Sequence, residues 1–271
     1  MPELPEVETT RSGIEPHVTG RTIERLAVHE RRLRWPIART LAAWAQGQKI
    51  TQVRRRAKYL LLRLERGWLM LHLGMSGSLR VLPVRTALDA HDSFDIEMDS
   101  GWTLRYNDPR RFGSLFHLKG DPARHKLLRD LAPEPLEPAF NADYLFRVTR
   151  KRSAAIKQVI MNSHLVVGVG NIYASEALFR ARIRPGRAAK SLSRAECAAL
   201  VTAIRAVLRM AIPHGGTTLR DYVGADGKPG YFKRKLWVYE RAGLPCRRCG
   251  ATVRKRAQGQ RSTYYCAQCQ Q

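Results

Sequence analysis

Four cysteines constrain the last 26 residues of this 271-residue chain more tightly than any other feature. Cys246 and Cys249 form one Cys-x2-Cys pair, sixteen residues follow, and Cys266 and Cys269 form the second. Each pair suits a tight knuckle, and two knuckles can close a tetrahedron of thiolates around one Zn²⁺. Such a site keeps no open coordination position, so the metal is structural. It stabilises a segment too small to bury a core of its own. Two disulfides are the competing reading. Four of five cysteines crowded at one end is not, however, the distribution of a secreted disulfide scaffold. The same segment carries Arg247, Arg248, Arg254, Lys255, Arg256 and Arg261 with no acidic residue, which suits a phosphate backbone. The fifth cysteine, Cys197, falls on the apolar face of a helical pattern and reads as core.

Charge narrows the partner. Lys and Arg number 48 against 23 Asp and Glu, a formal net charge of +25. An excess that large opposes compaction unless a polyanion offsets it, so nucleic acid leads and a membrane surface trails. No apolar stretch approaches the roughly 20 residues that cross a bilayer. The N-terminus, Pro2-Glu3-Leu4-Pro5-Glu6, lacks the basic-then-apolar layout of a secretory signal, and the expectation is a soluble cytoplasmic protein.

Periodicity changes along the chain. Residues 1–134 hold short apolar or alternating runs at Lys58–Leu64, Trp68–Leu73, Ser78–Leu82, Ser93–Met98, Trp102–Tyr106 and Ser114–Leu118, separated by turn residues. This predicts an antiparallel sandwich or barrel, preceded by a helix from Pro5 to about Val18. Three prolines in Pro133–Pro138 suggest a linker, taken as residues 135–150. Beyond it, helices are expected at Ala154–Met161, Asn171–Ala181 and Arg194–Ile212. The domains are then 1–134, 151–236 and a zinc-binding 237–271.

Several residues carry candidate chemistry. Arg54, Arg56 and Lys58 alternate and would share one face of a strand, either as a solvated edge or against phosphate. Met75 and Phe112 occupy turns, Gly74–Gly77 and Asp108–Gly113, where little core is available. Apolar side chains on such tips, flanked by arginines, can unstack a base step, and Arg110 or Arg111 could then read an orphaned base edge. Loss of Met1 would free the secondary amine of Pro2. An α-amino group titrates near 7.7, so part of it is nucleophilic at neutral pH and can form an iminium with a sugar C1′. Glu3 beside it could move protons. A plain helix start with favourable acids is the competing reading of this N-terminus.

The motifs MPELPEVET at the start, RRAKYLLL at 55–62, HLGMSGSLR at 72–80 and YNDPRRFGS at 106–114 resemble formamidopyrimidine-DNA glycosylase. So do LVVGVGNIYASEALF at 165–179, GGTTL and DGKPGYF within 215–232, and the four-cysteine tail. The resemblance runs the length of the chain in order. It implies an α+β protein: an N-terminal β-sandwich with flanking helices, then a helix–two-turn–helix domain and a β-hairpin zinc finger. It implies excision of oxidised purines from double-stranded DNA followed by strand nicking, with one structural zinc. No dimer element is visible in the sequence, so a monomer with no membrane partner is expected. Pro2 would be the nucleophile, Glu3 a proton carrier, Lys58 the lysine of β-elimination and Arg261 the arginine of δ-elimination. Met75, Arg110 and Phe112 would fill the gap left by an everted nucleotide, and His91, Arg152 and Asn171 would contact DNA. Lysine is more usual at position 152. Glu6, Thr217 and Tyr231 would line the pocket for the damaged base. The alternatives are an endonuclease VIII-type enzyme for oxidised pyrimidines and a non-enzymatic DNA-binding protein.

Overall fold

The computed structural model describes residues 2–217 and 235–271. These form two compact units. One holds the chain up to Arg129 with a segment that begins at Ile212, and the other holds Asp130–Ala211 with the C-terminal residues.

The first unit contains α1 (Leu4–Val18), β1 (Ile23–Val28), α2 (Leu41–Ala45), β2 (Ile50–Arg56), β3 (Tyr59–Leu64) and β4 (Gly67–His72). It continues with β5 (Ser78–Pro83), β6 (Asp92–Met98), β7 (Trp102–Asn107) and β8 (Ser114–Leu118). Two antiparallel sheets result, in orders β1-β6-β7-β5 and β2-β3-β4-β8. Period-two alternation sends Leu60, Leu62 and Leu64 of β3 inward. Leu71 stands opposite Leu60, and Leu69 opposite Leu62. These leucines share one core with Leu79, Phe94, Ile96 and Leu104 of the other sheet, so the sheets stack face to face as the expected sandwich. Each such side chain contributes about 1.5–3 kcal/mol on full burial. Val7, Ile14 and Val18 seat α1 on the same core, and Leu41 and Ala45 seat α2.

The second unit contains α3 (Ala142–Thr149), α4 (Ile156–Ile160), α5 (Asn171–Arg180), α6 (Arg194–Ala211), β9 (Arg254–Gln258) and β10 (Arg261–Tyr265). Along α6 the buried positions Cys197, Leu200, Val201, Ile204, Val207, Leu208 and Ala211 follow the helical period, and the helix packs on α3 and α5. The β9–β10 hairpin shares a core with Phe179 of α5 through Val253, Tyr264 and Cys266.

Two expectations change. The segment 135–150 is not an open linker: α3 lies within it, capped by Asn141, whose side chain accepts from Tyr144 N at 2.9 Å. Arg205 of α6 donates to the carbonyls of Pro135, Glu137 and Phe140, and Phe140 and Leu145 are buried. The prolines stop regular structure before Asn141, but the backbone around them is held to α6. The described residues Ile212–Thr217 also join the first unit rather than 151–236, with Thr9 Oγ1 donating to Ile212 O.

Candidate functional site

In the first unit the N-terminal residues are fixed from both sides. Pro2 is buried, and Glu3 and Glu6 are 2% and 1% exposed. Pro5 occupies the first turn of α1, where its missing N–H costs nothing. Glu6 reaches back so that one carboxylate oxygen accepts from Glu3 N at 2.9 Å. The other oxygen accepts from Thr217 N at 2.8 Å and Thr217 Oγ1 at 3.1 Å. Gly216 permits this approach, because its φ is +73° and a Cβ there would overlap the Glu6 carboxylate. Thr217 and Glu6 are thus in direct contact, while Tyr231 lies outside the described residues.

Lys58 does not share a strand face with Arg54 and Arg56. It is half-buried at the tip of the β2–β3 hairpin, beside Ala57 in the left-handed region (φ +53°). Nearby His72 accepts from Gly74 N through Nδ1 at 3.0 Å. Burial, and then the charges of Lys58 and Arg34, push its imidazole down to about 4, so it stays neutral.

Phe112 is 43% exposed, Arg110 is exposed with its guanidinium 5.0 Å from the Phe112 ring, and Met75 is half-buried in its own turn. Arg111 instead pairs with Glu30 at 3.1 Å, which separates the roles of the two arginines. His91 is exposed at φ +71° on a loop held by buried Arg105. That guanidinium bonds both Asp95 oxygens at 2.8–2.9 Å and the carbonyls of Thr86 and Ala87.

In the second unit Arg152 is exposed just after α3. Asn171 opens α5, and its side chain is directed onto the hairpin: Nδ2 donates to Ser262 O at 3.0 Å and to the Tyr239 hydroxyl at 3.4 Å. Its Oδ1 accepts from Lys157 Nζ at 2.6 Å. Arg261 is exposed and follows the two-residue turn Gly259-Gln260, both with positive φ.

Two residues here went unread in the sequence. Lys157, 1% exposed, also donates to Ser262 O and Thr263 Oγ1, tying α4 to β10 beside Arg261. Glu176, 2% exposed, accepts from the N–H groups of Trp237, Val238 and Tyr239 at 2.9–3.0 Å. Burial drives its carboxyl up, and those three N–H groups pull it back. The signal was a charge inside an apolar helical stripe.

The four cysteine sulfurs lie within 4.8 Å of one another, with Cys246–Cys269 at 3.9 Å and Cys249–Cys266 at 3.5 Å. A zinc tetrathiolate with Zn–S bonds of about 2.3 Å has S···S edges of about 3.8 Å. The residues fit one zinc, and all five cysteines are free of disulfides. Backbone bonds Cys246 N to Ala251 O and Gln270 N to Cys266 O shape the knuckles.

The chain matches the formamidopyrimidine-DNA glycosylase N-terminal domain over residues 1–115, the H2TH domain of the same enzymes over 131–223, and the zinc finger found in FPG and IleRS over 243–271. It is 60% identical to formamidopyrimidine-DNA glycosylase of Thioalkalivibrio sulfidiphilus over 270 residues, covering 100% of both chains. The chain belongs to the formamidopyrimidine-DNA glycosylase family. Its fold is similar to the MutM (FPG) protein of Thermus thermophilus, with a TM-score of 0.89, 41% identity and 99% and 98% of the two chains covered. It is also similar to Lactococcus lactis Fpg solved with DNA containing an abasic site, with a TM-score of 0.91, 30% identity and 99% of each chain covered.

This member of the glycosylase family exposes all six basic residues of its zinc segment, from Arg247 to Arg261. If they meet phosphates, raising salt from 50 to 200 mM will weaken duplex binding about 10³-fold, linearly on logarithmic axes. Anisotropy titrations check this, and a change under tenfold would remove these residues from the phosphate backbone. Among the described residues, no helix is long and apolar enough to cross a membrane.

Proposed function

We infer that this protein is a bifunctional DNA glycosylase and AP lyase of base-excision repair, acting on damaged double-stranded DNA. The observation that carries the reading is the N-terminus: Pro2 and Glu3 are buried and held by Glu6, in a chain that matches formamidopyrimidine-DNA glycosylases from end to end. The substrates assigned are oxidised purines, 8-oxoguanine and formamidopyrimidines.

A glycosylase cannot reach C1′ inside a stacked duplex, so the nucleotide is everted at a cost of a few kcal/mol. Phe112 and Met75 occupy the gap, and Arg110 faces the unpaired base. The Pro2 nitrogen then attacks C1′, the glycosidic bond breaks, and the base departs with a proton. Opening of the sugar ring, with Glu3 moving the proton, leaves an iminium between Pro2 and C1′. Loss of a C2′ proton expels the 3′-phosphate, which is assigned to Lys58, and δ-elimination at the 5′ side is assigned to Arg261. Glu6 and Thr217 border the base pocket. His91, Arg152 and the start of α5 at Asn171 contact the backbone, where helix N–H groups also favour anions. Zinc held by the four cysteines supplies folding free energy to the hairpin bearing Arg261. One copy acts on one lesion, in the cytoplasm.

Competing excision of 8-oxoguanine:C and thymine-glycol:A duplexes tests the assignment. Faster release of 8-oxoguanine is expected. A strong pyrimidine preference would move the protein to the endonuclease VIII type.

A further inference from the structure

Asp108 stands beneath both turns that carry the wedge side chains. It is 1% exposed, and each of its carboxylate oxygens serves two partners. Oδ1 accepts from Ser76 Oγ at 2.9 Å and from Arg110 N at 3.3 Å. Oδ2 accepts from Gly113 N at 2.8 Å and lies 3.1 Å from the Tyr106 hydroxyl, which is also 3.1 Å from Leu73 O. Leu73 and Ser76 bracket the Met75 turn, while Arg110 and Gly113 bracket Phe112. Asp108 N in turn donates to His91 O at 3.1 Å.

Three glycines bring the turns together with no side chain between them. A Cβ on Gly77 or Gly113 would overlap the Tyr106 hydroxyl. One on Gly74, at φ +71°, would overlap Gly113 N and the Phe112 carbonyl. A tip built this way has its conformational entropy removed before DNA arrives, so inserting it into a base stack requires little further ordering.

We propose that Asp108 is a positioning residue that locks the Met75 turn and the Arg110–Phe112 turn into one preassembled wedge. The inference rests on the assignment of Met75 and Phe112 as wedge residues. It makes lesion eversion, rather than DNA affinity or the chemistry at Pro2, the step that depends on this buried carboxylate. An Asp108→Asn side chain keeps one acceptor oxygen but turns an N–H₂ toward the other pair of partners, so the backbone N–H of Arg110 or Gly113 loses its acceptor and the hydroxyl beside it must accept instead of donate.

The test compares two substrates in the same duplex context: 8-oxoguanine:C, whose base must be everted, and a preformed abasic site, which has no base to unstack. Under single-turnover conditions D108N should slow 8-oxoguanine excision at least tenfold and change abasic-site incision by no more than about twofold. F112A should slow 8-oxoguanine excision by at least as much, and the double variant should lose clearly less than the product of the two single losses, because both act on one element. S76A, which removes only the Met75-side bond, should give a smaller loss of the same kind. Equal losses on both substrates in D108N, or additive losses in the double variant, would overturn the coupling. A normal D108N beside an impaired F112A would reject the coupling and keep the wedge. A normal F112A would reject the wedge itself.

Discussion

Removing the zinc, or replacing Cys266 with serine, will cost the protein its lesion binding. Structural zinc in such small modules contributes about 10–16 kcal/mol at neutral pH, comparable with the whole stability of an ordinary domain. Cys246 and Cys266 also belong to the small core that joins the hairpin to Phe179 and Val238, so losing the knuckles exposes apolar surface. The zinc-bound segment from Arg247 to Arg261 carries six exposed basic side chains, and all lose their fixed positions together. Binding of a zinc-free preparation to an abasic duplex should fall more than 100-fold, while circular dichroism keeps the strand signal of the sandwich. Retained nanomolar binding without metal would contradict this.

Glu176→Ala should be the most damaging single change that touches neither zinc nor the assigned chemistry. It orphans three consecutive N–H groups, one in a buried bond and two in part-buried ones; an unpaired buried group costs about 1–3 kcal/mol and the part-buried pair lie near the lower end of that range, for a total of about 3–5 kcal/mol. Those groups fix Tyr239, whose hydroxyl meets Asn171 and whose ring packs against Tyr264 at 4.9 Å. At about 2–4 °C per kcal/mol for a chain of this size, thermal unfolding of the second unit should drop by roughly 10 °C or more. Glu176→Gln, which keeps one acceptor, should fall between. A shift under 2 °C for the alanine variant would show that the segment 237–239 is held by other means.

What could be read in the chain depended on whether the controlling interaction was local. Six strands and the long helix α6 followed from period-two and 3.6-residue patterns, and the cysteine tail from ligand chemistry alone. β1 was missed, and of β2 only the alternation of Arg54 and Arg56 was read; both strands shift register at their starts, between Ile23 and Arg25 and between Ile50 and Gln52. Lys58 was placed on a strand because Ala57 is not a turn-forming residue, yet it adopts a positive φ there. α3 was passed over because prolines just upstream looked like a linker, although Asn141 is an ordinary N-cap. The charges of Lys157 and Glu176 within apolar helical stripes marked them as buried but not what they bind, and Asp108 carried no such mark, since partners such as Thr263, 106 positions from Lys157, become neighbours only through the tertiary fold. The catalytic and wedge assignments came from resemblance, as Pro2 and Phe112 alone had plain structural readings.

The central claim is that the Pro2 nitrogen forms the covalent intermediate. The direct measurement is to incubate the protein, with loss of Met1 confirmed, with an 8-oxoguanine:C duplex under borohydride and to map the adduct by mass spectrometry. The account predicts one reduced DNA adduct on the Pro2 nitrogen. An adduct on a lysine such as Lys58, or no adduct from protein that binds the duplex, would contradict it.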